Sequence, residues 1–342
     1  MSTTLFFLVP IGMLAVVWSL CFVGACLPTS GLPGPNYSNT ILKELSLIAY
    51  WPLSDFPNSL PPAGAPPLPP PPQGSTGLGT ALDLTGKNHN GSYINPPIYQ
   101  SGTTFLTTMG NPPVDLKPTL NLRQTSMLPG DAVVTGSKNL PACVDFEGGY
   151  VSIPWVAGSP PLTEFTLEAW IKPRWTIMNF NWVVFAARTK NGTGFVIYIN
   201  QQNQWQFDIG NGTAITTVNT MLPAPINPSA TTYVALTFKS TSGTTGTLSL
   251  WIDPDGDDTS VPPTANFTTQ TTYVAVDSTQ PMTFFIGAGD NQNAQTPRTQ
   301  DGGPGAPLVP FQGLIQSVAL YNSALQPTDL ASHFADGAGS DT

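Results

Sequence analysis

The chain has 342 residues, of which only 9% are charged, and a formal net charge of −9. That balance argues against nucleic acid or an anionic lipid surface as partner, since both reward basic patches. Of three cysteines, Cys21 and Cys26 share one apolar run and Cys143 stands alone, so the remaining chain forms no internal disulfide.

Residues 5–27 form an uncharged run of 23 residues, and no Lys or Arg precedes Lys43. As a helix it would be roughly 35 Å long, against a hydrocarbon core of about 30 Å. Three readings compete. A cleaved secretory signal needs a basic start and an apolar core of about 7–15 residues, and residues 1–4 carry no basic side chain. A lipoprotein signal is suggested by Val23-Gly24-Ala25-Cys26, with Cys26 as the acylated residue. A retained transmembrane anchor suits the length best and is the expectation. Neither flank supplies the Lys or Arg that would set orientation. The bulky polar domain that follows is expected outside the cytoplasm, in the periplasm or on the cell surface.

Residues 28–44 read as a Gly/Pro/Ser/Asn linker, and 45–53 as an apolar strand. Residues 57–79 are proline-rich, with Pro69 to Pro72 consecutive, and read as an exposed polyproline II excursion. Residues 96–138 form a second irregular insertion, of the kind that is usually functional or wraps a partner. From 142 the pattern becomes regular. Strands are expected at 144–146, 150–153, 163–172, 182–188, 194–200, 204–208, 231–239, 247–253, 283–288 and 313–321. In the third of these, Phe165, Leu167, Ala169 and Ile171 share one face. Asn-Gly, Ser-Gly and Asp-Gly pairs mark the turns. A short helix follows Pro327, and 337–342 is a tail. So many short strands indicate two packed antiparallel sheets.

Several motifs, in order, carry a resemblance. Trp51 in its strand, followed by Asp83, Gly86 and Gly91, looks like the opening of a LamG-like, concanavalin A-like jelly roll. The strand from Phe165 to Pro173, the hairpin strand from Leu248 to Asp253 and the closing stretch from Phe311 to Leu325 resemble further motifs of that family. The likeness covers 45–336 and leaves out the two insertions. It implies an all-β, two-sheet antiparallel jelly-roll sandwich, here behind one transmembrane helix. The family includes lectins, carbohydrate-binding modules, adhesion domains and some glycosidases, so the fold alone gives no function.

The chemistry is sparse. Glycoside hydrolysis needs two carboxylates about 5–9 Å apart, and glucanases of this architecture carry a Glu-x-Asp-x-x-Glu strand. The only glutamates are Glu44, Glu147, Glu164 and Glu168, and none sits in that pattern. Glu164 and Glu168 are about 13 Å apart along one strand face and read as solvent-facing. Of the two histidines, His89 lies in an Asn-rich turn and His333 packs or caps in the closing helix. Cys143 reads as a small buried hydrophobe. No catalytic residue and no certain cofactor is expected. Calcium is the one metal with a candidate site: Asp253, Asp255, Asp257 and Asp258 cluster around a glycine turn, and calcium takes six to eight oxygens. The family resemblance implies another calcium site, built from an early aspartate and one in the closing strand. Asp83 matches the first, but Gln316 stands at the second, leaving Asp290 and Asp301 as substitutes. Sugar recognition would use Trp175, Asn179, Asn181 and Trp182, where aromatics alternate with amides; Trp155, Trp205 and Trp251 supply further aromatics.

The expected function is non-enzymatic. The jelly roll is an accessory or structural subunit of a larger membrane assembly. Its contacts are the lipid bilayer and neighbouring subunits, through the N-terminal helix and the two insertions. A cell-surface carbohydrate-binding or adhesion module is the alternative, and a glycoside hydrolase the third reading.

Overall fold

Strand alternation dominates the architecture. The computed structural model describes residues 37–55, 57, 76–95, 119–128, 142–155, 162–174, 181–188, 193–223, 231–253, 265–275, 282–289 and 309–338. The expected anchor at 5–27 lies outside them. Among the described residues no helix is long and apolar enough to cross a membrane.

Elements are numbered in chain order. The first large sheet contains β1 (Leu47–Trp51), β4 (Thr119–Thr125), β5 (Ala142–Glu147), β7 (Phe165–Pro173), β12 (Thr232–Ser242), β13 (Thr245–Asp253), β14 (Phe267–Thr272) and β18 (Gln312–Tyr321). Its order is β14-β13-β12-β7-β18-β5-β4, with β1 also paired to β18. The second contains β2 (Thr76–Ala81), β3 (Gly91–Asn95), β6 (Tyr150–Trp155), β8 (Trp182–Arg188), β9 (Thr193–Ile199), β10 (Gln204–Asn211), β11 (Ile215–Pro223) and β15 (Met282–Ile286). Its order is β11-β10-β9-β8-β15-β6-β3-β2. A small ladder joins β16 (Ala288–Gly289) to β17 (Val309–Pro310). All these pairings are antiparallel, so the expected jelly-roll sandwich is what the chain forms.

One face of each sheet makes the core. Phe165, Leu167, Ala169 and Ile171 point into it together, as the alternation predicts. Rings meet across the gap: Phe165 stacks on Phe195 at 4.7 Å and Trp51 on Phe284 at 5.5 Å. Full burial of each such side chain stabilises by about 1.5–3 kcal/mol.

The outer face of the first sheet is covered as well. Two helices lie there, α1 (Tyr37–Ile41) and α2 (Pro327–Ala338). Buried Leu330, His333, Phe334 and Gly337 give α2 one continuous stripe at helical spacing. Phe334 stacks on Trp170 at 5.5 Å, and Tyr37 meets Trp170 edge-on at 6.1 Å. A Cβ on Gly337 would come within 2.3 Å of the Trp170 ring, so glycine allows the helix this close.

Three boundaries differ from the sequence expectation. The expected linker at 28–44 ends in packed structure, because Tyr37 and Ile41 bury against α2 and Thr40 bonds Asp336 on it. The proline-rich stretch enters β2 at Thr76, paired with β3; residues 58–75 are outside the described set. Within 96–138, β4 adds an edge strand on β5 with Leu120 buried, while 96–118 and 129–138 are not described.

Candidate functional site

Among the described residues, a dense group of ionisable side chains lies between the first sheet and α2. Glu168 sits mid-β7 on the face opposite Leu167 and is 0% exposed. Its expected solvent-facing position is therefore corrected: the outer face of β7 is roofed by α2, and Glu168 is under the roof. Its cross-strand neighbours are Ala235 on β12 and Ala319 on β18. Those small residues leave room above the carboxylate. Tyr233 and Tyr321, two positions along the same strands, reach diagonally into it. Both phenols donate to Glu168, and His333 Nδ1 lies 3.1 and 3.2 Å from its two oxygens. On the far side of the ring, His333 Nε2 is 3.5 Å from Glu44.

The electrostatics follow from this enclosure. Burial alone pushes Glu168 up, but the charge and hydrogen bond of His333 and the two phenols outweigh it and hold the carboxyl below the usual range. For His333, burial pulls down, while Glu168 and Glu44 push up, and the imidazole ends at about 9. Burial, then the charge of Glu168, raises Tyr233 well above an ordinary phenol. At neutral pH the cluster is thus a carboxylate–imidazolium pair with two neutral phenols. It is a sealed fastening of helix to sheet.

A second group surrounds Asp83. Its oxygens accept from the backbone N–H groups of Tyr50, Thr85 and His89 at 3.1, 3.0 and 3.1 Å. The His89 ring stacks on Trp155 at 4.8 Å, and the His89 carbonyl accepts from Trp51 Nε1 at 2.7 Å. Asp83 therefore organises the turn after β2. Gln316 is likewise engaged, accepting from Met127 N at 2.7 Å. Asp290 and Asp301 lie outside the described residues.

The remaining candidates are described only in part. Asp253 is buried at the end of β13 opposite Tyr233, whereas Asp255, Asp257 and Asp258 lie outside the described residues. Among the described residues no three His, Cys, Asp or Glu side chains are grouped to hold a metal. Trp182 is buried in the core at the start of β8, so its ring offers no face to a sugar. Trp155, Trp205 and Trp251 are buried too. Asn181 is half-buried just before β8, and Trp175 and Asn179 are not described. The Cys143 thiol donates to Thr125 O at 3.0 Å, and burial with nearby Asp145 pushes it up to about 12, which removes it as a nucleophile.

Sequence reasoning missed the Glu168 cluster. A glutamate flanked by apolar Leu167 and Ala169, in a strand leading to Trp170, was its only local signal.

Among solved structures, the chain is similar to the botulinum neurotoxin serotype D/C VPI 5993 binding domain, with 11% identity, 84% of this chain and 51% of that one covered, and a TM-score of 0.42. It is also similar to a Trypanosoma rangeli sialidase in complex with 2,3-difluorosialic acid, with 14% identity, 88% and 34% covered, and a TM-score of 0.44. The chain spans about half or less of these proteins. No curated protein matches it. Residues 145–245 match the family model Laminin_G_3, the concanavalin A-like lectin/glucanases superfamily, and this segment is a domain of that type.

Proposed function

We propose that this chain is a non-enzymatic, single-pass membrane protein whose extracytoplasmic jelly roll binds and stabilises a larger membrane protein assembly. One observation carries the reading. Among the described residues Glu168, His333, Asp83 and Cys143 are buried and bonded to the fold. General acid–base work needs a group within hydrogen-bond reach of a substrate. The uncharged run at 5–27 supports membrane attachment, and the proline-rich stretch supports extended contact, because such chain loses little freedom on docking. A photosynthetic, respiratory or secretory complex fits equally.

Extraction in gentle detergent, followed by size separation and mass spectrometry, tests this. A stoichiometric complex is expected, and a solitary chain from native membranes sinks the proposal. Deleting residues 61–73 should weaken retention in the complex and leave the domain folded. A second reading, a glycan-binding module, draws on the lectin-type segment at 145–245. Retention of the isolated protein on a glycan column, released by free sugar, would favour it.

A further inference from the structure

Among the described residues the two large sheets end on four strands, β14 and β4 in the first and β11 and β2 in the second. An edge strand offers unpaired N–H and C=O groups to other chains, and proteins blunt such edges with charge, proline or bulges. Three of the four are blunted. Strand β4 carries Arg123 and a register shift between Asn121 and Gln124. Strand β11 ends at Pro223, and its pairing with β10 shifts between Gln204 and Gln206. Strand β2 shifts between Gly77 and Gly79. Strand β14 (FTTQTT) has no charge and no proline, and its register with β13 runs unbroken from Thr245↔Thr272 to Leu250↔Phe267. Its Thr268, Gln270 and Thr272 are exposed. Nothing in its own sequence protects this edge.

Five Asn-x-Ser/Thr acceptor patterns for N-linked sugar occur in the chain, at Asn36, Asn90, Asn191, Asn211 and Asn266. So short a pattern recurs by chance, and placement decides which matter. Asn36 and Asn191 lie outside the described residues. Asn90 is 5% exposed and its Oδ1 accepts from Asp83 N at 2.9 Å, which leaves no room for a sugar. Asn266 is exposed in the bend immediately before β14. Asn211 is half-buried at the turn from β10 to β11, and Val274 N donates to Gly210 O at 2.8 Å, so the chain leaving β14 is tied beside it. The two asparagines therefore bracket the β14 edge, a strand of six residues and roughly 20 Å. Among the described residues both use only Oδ1 in the fold. That of Asn266 accepts from Ile252 N at 2.7 Å, and that of Asn211 from Thr213 N and Ala214 N at 2.9 and 2.7 Å. Replacing one hydrogen on Nδ2 leaves those bonds in place.

We propose that Asn211 and Asn266 are N-glycosylation sites whose glycans screen the free edge of β14. The proposal rests on the extracytoplasmic placement above. The donor is an oligosaccharide linked through pyrophosphate to a polyprenyl lipid. Nδ2 attacks the anomeric carbon, the new N–C bond forms as the C–O bond to pyrophosphate breaks, Nδ2 gives up one proton, and the lipid pyrophosphate leaves. The test takes the full chain from its native membranes and reads the peptides bearing 90, 211 and 266 by mass spectrometry, with sugar fragment ions as the signature. Sugar on Asn211 and Asn266, with Asn90 bare, is expected. Before lysis, wall-stripped cells meet a membrane-impermeant amine reagent, and exposed Lys239 on β12 reports the side of the membrane. Lys239 labelled in intact cells with bare Asn211 and Asn266 overturns the proposal and leaves the placement standing. Lys239 labelled only after lysis overturns both. Thr213→Ala with Thr268→Ala removes both acceptor patterns and keeps the asparagines. That variant should self-associate on concentration in detergent, with its melting temperature within a few degrees of the parent. Thr213→Ser with Thr268→Ser should keep the sugar and stay dispersed. A sugar-free first variant that also stays dispersed overturns the screening role.

Discussion

Strand β7 separates two layers built on different principles. On one side, Phe165, Leu167 and Ile171 meet the second sheet in a layer formed by apolar side chains. On the other, Glu168 and Trp170 meet α2 in a layer where aromatic rings surround an ion pair. Apolar burial acts without regard to protonation. The second layer depends on both partners staying charged, because an unpaired buried charge costs more than the pair returns. Adjacent residues, Leu167 and Glu168, thus report on two kinds of stability.

The sharpest way to break the second layer is Glu168→Ala. It strands His333 and two phenols and should cost about 3–5 kcal/mol in urea unfolding. A loss under about 1 kcal/mol would mean that the pair is dispensable, as a surface ion pair is. Leu167→Ala, one residue away, should cost about 2–5 kcal/mol through a cavity, and that loss should not change with pH.

The pH profile sharpens the contrast. His333 is raised from 6.5 to about 9, so its contribution is whole below 6.5, declines as pH rises and is gone above about 9. Glu168 is lowered, so its contribution is whole above 4.5 and is lost as pH falls through its folded value. Melting temperature should therefore fall from pH 7 towards 10 in the parent and in Leu167→Ala. In His333→Gln that slope should flatten, and an unchanged slope there would assign it to other groups.

Smaller effects follow. Gly337→Ala pushes a methyl into the Trp170 ring and should cost about 1–3 kcal/mol, as overpacking does. The smallest signal is at Cys143: its raised thiol should resist iodoacetamide at pH 8 in the folded protein and react once urea is added. Rapid labelling at Cys143 in a native chain with Cys21 and Cys26 replaced by serine would show that β5 opens.

The inter-sheet layer was legible because period-two alternation is a local signal, clear in β7 and β13, and β8 is a continuous apolar run. Elements without that signal were not. Strand β14 (FTTQTT) is a polar edge, β11 (ITTVNTMLP) carries its apolar residues irregularly, and α1 is only five residues long. The ionic cluster was illegible for a different reason. Outward positions of a strand default to solvent unless something covers them, and the cover for Glu168 arrives 165 residues later with His333. Nothing near Glu168 in sequence announces that helix. For the four aspartates the local pattern suggested a site; Asp253 is buried at the end of β13, and Asp255, Asp257 and Asp258 lie outside the described residues.

The pairing of β1 with β18 has a consequence for biogenesis. Leu47 lies opposite Tyr321, and Thr40 bonds Asp336, so the first elements of the domain are completed by its last. At about 5–20 residues per second of synthesis, β1 waits roughly 15–55 s for its partner strand. Throughout that interval β1 has no strand to pair with, and an unpaired apolar strand invites aggregation. A product truncated before residue 312 lacks the strand that pairs with both β1 and β7.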